Sequence, residues 1–404
     1  MKTSYRITYA KAVHGKEELR AVVEVLQKHE TIMGPRVEKF EEEVARLFRK
    51  KFGIMVNSGS SANLVATKLL SLPEGAEVIT PALTFSTTVA PLVQNRLVPA
   101  FCDATEGTYQ IAESQIEEMI TKKTKALMIP SLLGNIPDLA RLKVIAQKHN
   151  LWFVEDSCDT LGAVFQGKPT GTFSHISTTS FYGSHIITAA GNGGMVLVNE
   201  RAWEEKARML RGWGRSSEKK GSDDLKKRFG YKLDGTRHDT KFVFDELGYN
   251  FLPSELGAAF GLEQLKKLQR FRKARQKNFK ILKAYFQQYA EVFTVPEELP
   301  HVDTAWIAFP LTIRRGAPFS RYELVLYLEK NGVQTRPVFA GNLLRHKGFK
   351  HIPCKLRKEG YPVADYIMNN SFLIGCHQDM DDAQLDYMKE LFENFLKRKG
   401  IRSS

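Results

Sequence analysis

Cysteine is scarce. Four of 404 residues are cysteine (Cys102, Cys158, Cys354 and Cys376), far apart and with no CxxC pair. That excludes a disulfide framework and a structural zinc site, and leaves reduced thiols. Long apolar runs are absent too: no stretch reaches the roughly 18 residues that a membrane helix needs, and the opening MKTSYRITYAKAVHGKEELR holds no apolar core of a leader peptide. The expectation is a cytoplasmic protein with no membrane partner. Acidic residues are outnumbered, 45 against 59 basic, for a net charge of +14. Such a balance fits either a solvated basic surface or attraction to phosphate-rich ligands, among them nucleotide-sugars and nucleic acid. No RRM, zinc-finger or basic-zipper pattern occurs, so no nucleic-acid partner is expected. A last absence is local: no lysine lies between Lys168 and Lys206.

The first 210 residues alternate apolar runs with amphipathic helical patterns. FGIMVNS (52–58), AEVIT (76–80), LVPAFCD (97–103), KALMIPS (125–131) and LWFVED (151–156) read as strands, separated by helical stretches such as SSANLVATKLLSL and DLARLKVIAQKHN. This predicts an α/β fold with a mostly parallel sheet and helices on both faces, whose ligands gather at the carboxyl ends of the strands. Residues 213–246 are polar and weakly periodic, either a functional loop or a disordered one. A long helix from SELGAAF onward then leads to a smaller α+β unit. The expected division is a large domain over 1–265 that includes the N-terminal segment, and a smaller one over 266–404.

Four loops after strands carry chemistry. VNSGSSANL (56–64) opens a helix. Its Gly59 lets a ligand approach the backbone, Ser58, Ser60 and Ser61 add hydroxyls, and the free helix N-terminus favours an anion. Serine there is equally an ordinary N-cap. FVEDSCDTLGA (153–163) ends a buried strand with Glu155, Asp156 and Asp159. A carboxylate so placed can keep the ring nitrogen of a pyridoxal-type cofactor protonated, although aspartate is also a common turn former. PALTFSTTVAP offers Phe85 as a stacking ring, whereas core packing is phenylalanine's usual use. SFYGSHIITAAGNGG (180–194) delivers a polar side chain on an exposed turn, and that side chain is His185.

Taken in order, these segments resemble the sites of fold-type I pyridoxal-phosphate enzymes. With SLLGNIPDL, LGYNFLPSELGAAFGLEQLKKL and QTRPVFAGNLLRH, the chain is similar to the sugar aminotransferase (DegT/DnrJ/EryC/StrS) family over nearly its whole length. In the family's aminotransferases a lysine in the fourth loop forms a Schiff base with the cofactor. Here His185 stands in its place, as in the branch of nucleotide-linked 4-keto-6-deoxyhexose 3-dehydratases, which SFYGSHIIT, LRGWGR and FAGNL also resemble.

The resemblance implies pyridoxamine 5'-phosphate or pyridoxal 5'-phosphate as cofactor, regenerated from L-glutamate, with His185 as catalytic base. It implies that Ser58, Gly59, Ser60 and Ser180 serve the cofactor phosphate, Phe85 its ring face, Asp156 its ring nitrogen, and Asp159 the surrounding network. Asn250 is expected to reach the phosphate of a neighbouring subunit across a homodimer. Arg215 and Arg336 are candidates for the substrate diphosphate or for glutamate's carboxylate.

One sub-branch carries an iron–sulfur cluster on cysteines that begin just after GWGR. This chain reads GWGRSSEKKG there and has no cysteine from 159 to 353, so neither a cluster nor any other metal is expected. It resembles the cluster-free dehydratase that acts on GDP-4-keto-6-deoxymannose. Two alternatives stay open. One is an aminotransferase using another lysine, of which Lys168 is nearest, and the other is an inert nucleotide-sugar-binding relative.

Overall fold

The computed structural model describes residues 6–218 and 224–403. The strand expectations at the N-terminal half are met within one or two residues. β1 (Phe52–Val56), β2 (Glu77–Pro81), β3 (Val98–Cys102), β4 (Thr124–Pro130), β5 (Trp152–Asp156), β6 (Ile176–Ser180) and β7 (Gly194–Val198) form one sheet in the order β1-β7-β6-β5-β4-β2-β3. β2 to β6 run parallel, and β7 is antiparallel to both its neighbours. The near-continuous apolar strands follow from burial on both faces. Helices α1 (Lys16–Gln27), α2 (Pro35–Leu47), α3 (Gly59–Leu69), α4 (Ser86–Gln94), α5 (Leu139–Lys148) and α6 (Arg201–Arg211) surround the sheet.

Register brings the loops to one edge. Asp156 at the end of β5 pairs with Pro130 of β4 and Thr178 of β6. Ser58, just past β1, bridges Gly193 just before β7. A Cβ on Gly194 would lie 2.2 Å from the Ser58 carbonyl oxygen, so this crossing requires glycine. Beneath β1, Arg208 and Arg211 of α6 bond the Glu41 carboxylate of α2 at 2.9 and 2.7 Å, and Glu41 also accepts from the Met55 N–H at 2.8 Å. Each buried charge therefore has a partner, which is the condition for tolerating it.

Between Trp213 and Glu246 the chain is ordered over its described part. Arg215 bridges Phe244, α7 (Leu225–Gly230) follows, and Lys232–Leu233 pairs with Thr236–Arg237. The stretch GWGRSSEKKG, expected to carry no cluster, runs on to residues 219–221, which lie outside the described residues.

Helix α8 (Glu255–Gln287) is 33 residues long. Its first residue, Glu255, is fully buried and accepts from the N–H groups of Gly34, Arg36 and Val37, closing the open start of α2. Its last turns place Phe279, Leu282 and Phe286 in the core of the C-terminal unit. The expected boundary at 265/266 thus falls inside one continuous helix. The second sheet is antiparallel, in the order β8 (Phe293–Thr294), β9 (Phe309–Ile313), β11 (Ser371–Ile374), β10 (Arg336–Pro337). It packs with α9 (Arg321–Lys330), α10 (Pro362–Asn370) and α11 (Asp382–Arg398). The stretch around Ile7 pairs with the C-terminal unit, whereas Val13 packs with the core that holds Val37 and Phe40. Ile7 exchanges hydrogen bonds with Gly332 and Gln334, and its side chain is fully buried in the C-terminal core, where an apolar residue gains most.

Candidate active site

Loops from the carboxyl edge of the large sheet, together with the N-terminal segment and residues of the smaller unit, enclose a cavity of about 390 Å³. Ser58, Gly59 and Ser60 line it from the start of α3. The Ser58 hydroxyl is the N-cap, accepting from Ser61 N–H at 3.1 Å, so the reading of this serine as a cap holds. The N–H groups of Gly59 and Ser60 belong to the turn that a helix cannot bond internally. A Cβ on Gly59 would meet the Ser180 Cβ at 2.6 Å and the Cys158 Sγ at 2.9 Å. The bare glycine therefore shapes the cradle, and Ser180 forms its other wall.

Asp156 is only 6% exposed and reaches the cavity from the end of β5. Its Oδ2 accepts from Asn63 Nδ2 at 2.7 Å and Thr88 Oγ1 at 2.8 Å. Asn63 is fixed in turn: its amide donates to the Thr87 carbonyl, and its Oδ1 accepts from Thr178 Oγ1 at 2.6 Å. The Thr87 carbonyl is free for this because Pro91, four residues on in α4, has no N–H to give it. A proline that argues against a helix in the sequence thus leaves an acceptor that orients the support of Asp156. Asn63 and Thr88 were missed by sequence reasoning. Both lie in quoted motifs, Asn63 one turn after Ser60 and Thr88 three residues after Phe85, so helical spacing was the available signal.

Phe85 is half exposed at the mouth, edge-on to Phe339 with ring centroids 6.0 Å apart. A ring there can cover a flat ligand. Tyr9 and Phe339 also line the cavity and were not foreseen; Tyr9 sits in a segment that the sequence assigned to the other unit.

The loop between β6 and β7 is pinned by buried Phe181, Ile186 and Ile187, and by hydrogen bonds from the Ala189 N–H and Thr188 Oγ1 to the Phe181 carbonyl. It turns His185 into the cavity with 15% of the side chain exposed. Its Nδ1 is 3.6 Å from Asp159 Oδ1 and makes no hydrogen bond. Burial, with the positive field of Arg275, lowers the His185 pKa to about 4. Burial also raises Asp159 to about 7, against the pull of the Leu133 N–H that its Oδ2 accepts at 2.9 Å, while the Asp156 charge pushes it further up. The separation is within ion-pair range, yet both shifts favour the uncharged forms. Between about pH 4 and 7 the contact is one of neutral groups.

Among the described residues, no lysine lines the cavity. Lys168 is exposed on the strand Lys168–Pro169, which pairs with Val164–Phe165. Three expected residues stand outside the cavity. Asn250 is exposed and bridges Gly212. Arg215 lies over the Trp213 ring at 4.1 Å. Arg336 is exposed on β10 and lies 5.7 Å from the ring of Tyr9.

The residues present fit a flat, phosphate-bearing pyridine: a glycine cradle at a helix start, a fixed carboxylate opposite, and an aromatic ring at the mouth. Nothing here would bond it covalently through an amine. Among the described residues, no group of three or more His, Cys, Asp or Glu side chains could hold a metal, and no helix is long and apolar enough to cross a membrane.

Comparison with known proteins places this architecture. The chain is 36% identical to the dTDP-4-dehydro-2,6-dideoxy-D-glucose 3-dehydratase of Saccharopolyspora spinosa, over 96% of this chain and 86% of that protein. It is 32% identical to the GDP-4-keto-6-deoxy-D-mannose 3-dehydratase of Yersinia pseudotuberculosis, over 96% and 98%. A solved GDP-4-keto-6-deoxymannose-3-dehydratase, with a trapped PLP-glutamate geminal diamine, superposes with a TM-score of 0.84 at 29% identity, covering 95% of this chain and 99% of that one. The fold is that of the fold-type I pyridoxal-phosphate transferases. Residues 13–393 match the DegT/DnrJ/EryC1/StrS aminotransferase family, and the chain belongs to it.

Proposed function

We propose that the protein is a pyridoxamine-phosphate-dependent 3-dehydratase of nucleotide-linked 4-keto-6-deoxyhexoses, serving deoxysugar and surface-polysaccharide assembly. One observation carries this reading: a cavity shaped for the cofactor presents His185, and no lysine, at its reactive end. The 3-dehydratase names of two relatives and the glutamate adduct in a solved one support it.

When bound, pyridoxamine phosphate supplies a free amine that condenses with the sugar ketone and a protonated ring that draws electrons as the hydroxyl leaves carbon 3. The Gly59 and Ser60 N–H groups, with the Ser180 hydroxyl, hold its phosphate. Asp156, locked by Asn63 and Thr88, holds the ring N–H. Phe85 covers the ring and keeps water from it. His185 is neutral and so has a nitrogen free to take a proton from the cofactor's methylene carbon. As it becomes positive, Asp159, 3.6 Å away and ionised above about pH 7, steadies it. Over a full cycle the sugar loses its 3-hydroxyl, glutamate becomes 2-oxoglutarate, and one ammonia is released.

The active unit in this reading is a homodimer in the cytoplasm, with Asn250 of each copy serving its neighbour's phosphate site. Arg215 and Arg336, outside the cavity of a single copy, remain the candidates for the nucleotide diphosphate or for glutamate.

The test is incubation with pyridoxal phosphate, glutamate and a panel of GDP-, CDP- and dTDP-linked 4-keto-6-deoxyhexoses, read by mass spectrometry. Replacement of the 3-hydroxyl by hydrogen, a net loss of one oxygen atom from the sugar, with ammonia release supports dehydration. Gain of an amino group with the 3-hydroxyl retained would assign the protein to transamination instead.

A further inference from the structure

Arg275 lies in the sixth turn of α8 and is fully buried. Its Nε donates to Gln378 Oε1 at 2.6 Å, and its NH1 donates to the carbonyls of Trp306 at 3.2 Å and Ile307 at 2.9 Å. Its NH2 has no partner. Among the described residues, no carboxylate comes within ion-pair distance of it. Removing a cation from water without a counterion is among the most costly arrangements a protein holds. By contrast Arg208, Arg211 and Arg272, also buried, each face a carboxylate.

The bonds Arg275 does make converge on the active-site cavity. Ile307, whose carbonyl it holds, lines that cavity. Gln378, held by its Oε1, turns its Nε2 to the Ile186 carbonyl at 3.5 Å, and Ile186 follows His185 directly. The loop that aims His185 is thus anchored from behind by a chain of contacts that begins at an unneutralised guanidinium.

We propose that Arg275 is a positioning residue for the dehydration: its uncompensated charge, set behind the cavity and tied through Gln378 to the His185 loop, keeps the imidazole uncharged and aimed. The proposal rests on the reading of His185 as proton acceptor. A base already carrying a proton can take no other, so a fixed positive field maintains the competent form. The groups that face His185 are Asp159 and the Cys158 carbonyl from the loop after β5, Tyr182 from its own loop at 6.3 Å between rings, and Arg275 from α8. Around Arg275 stand Tyr9, Cys376 and His377, none of them a carboxylate. His377 shows the same influence: burial and then Arg275 lower its pKa to about 4.

The test reads the proton directly. Wild-type protein without substrate, labelled with ¹⁵N-histidine, is titrated by NMR, and the His185 signal is identified by its loss in His185→Asn. It should titrate below about pH 5; titration near the ordinary 6.5 overturns the proposal without any variant. Arg275→Gln removes the charge and should raise the His185 titration measurably, whereas Arg275→Lys, which keeps it, should leave the titration as in wild type.

Because Arg275→Gln risks the fold, Gln378→Glu is the second arm. It is nearly isosteric, leaves Arg275 in place and gives it a counterion at the cost of the donor to the Ile186 carbonyl, so it too should move His185 upward. The acid limb of the pH profile of the glutamate half-reaction should move with the NMR titration in the same variants. Any folded variant with the charge removed or neutralised in which His185 titrates as in wild type overturns the proposal. A His185→Asn variant that dehydrates normally would remove the functional reading beneath it, a failure separate from the titration result.

Discussion

His185 and Asp159 meet at 3.6 Å, imidazole Nδ1 to carboxylate Oδ1, without a hydrogen bond and with burial shifting each toward its uncharged form. Their effects on stability therefore run in opposite directions along the pH scale. Asp159, raised from 3.8 to about 7, keeps its proton in the folded state where the unfolded chain has lost it, so stability is lost as pH rises from about 4 to 7. His185, lowered from 6.5 to about 4, resists a proton that the unfolded chain accepts, so stability is lost as pH falls from 6.5 to 4.

Asp159→Asn removes the first effect alone, and its carbonyl oxygen can still accept from the Leu133 N–H. Thermal unfolding of the cofactor-free protein should show little gain over wild type near pH 4. The gain should grow to at least about 1 kcal/mol by pH 8. A gain that is the same at every pH would contradict the raised carboxyl.

His185→Asn should bind pyridoxamine phosphate normally, because Gly59, Asp156 and Phe85 are untouched. Dehydration should fall ~10²–10⁴-fold, the usual cost of a lost general base. Exchange of one methylene proton of the cofactor with solvent, followed by NMR with substrate present, should vanish in the variant. If exchange persists, Tyr182 becomes the next candidate, since it lines the same cavity.

Borohydride reduction of protein loaded with pyridoxal phosphate should leave no cofactor on any peptide, since no lysine lines the cavity and Lys168 is exposed on its strand pair. A cofactor-bearing lysine peptide would sink the assignment of His185. His185→Lys should gain such a peptide, and with it a shift toward transamination.

Gly59→Ala should be felt in two ways. The added methyl would overlap the Ser180 Cβ and Cys158 Sγ, and overpacking of this kind costs about 1–3 kcal/mol. The same methyl would intrude on the proposed phosphate cradle, so pyridoxal phosphate affinity should fall at least about tenfold, one factor of ten being ~1.4 kcal/mol. Unchanged affinity, measured by fluorescence titration, would place the phosphate elsewhere.

Activity should survive iron chelators, and metal analysis of anaerobically purified protein should find iron well below one atom per chain. The basis is the lack of cysteine around GWGRSSEKKG. Stoichiometric iron would contradict it.

Much of the large sheet was legible because each strand is a short apolar run and each intervening helix has a clear 3.6-residue stripe. The cavity's own residues followed from the strand ends: Gly59, Phe85, Asp156 and His185 all line it. Other parts were hidden for identifiable reasons. α4 carries Pro91 and did not read as a helix. β10 is two residues long, and its extent could not be drawn from VQTRPVF. Tyr9 enters the cavity because Ile7 pairs with Gly332 and Gln334, contacts more than 300 residues apart that no local pattern announces. Arg275 was concealed in a long helix rich in lysine and arginine, where only the three-dimensional packing shows which cation is buried.

Helix α8 works as a beam common to both halves of the molecule. At ~1.5 Å per residue its 33 residues span about 50 Å. Sharp bends in helices arise at proline, at glycine pairs or at inserted turns. α8 has no proline, and its glycines, Gly257 and Gly261, fall in the first two turns. A Cβ on Gly261 would strike Phe40 at 2.8 Å, so this end is tightly seated. With Arg275 set into the same beam, the distance between the loop that carries His185 and the Ile307 wall of the cavity is fixed by a stiff strut rather than by a hinge. Changes in sugar or nucleotide preference should therefore be sought in the rim residues Phe85, Tyr182 and Phe339, which can vary without loading the strut.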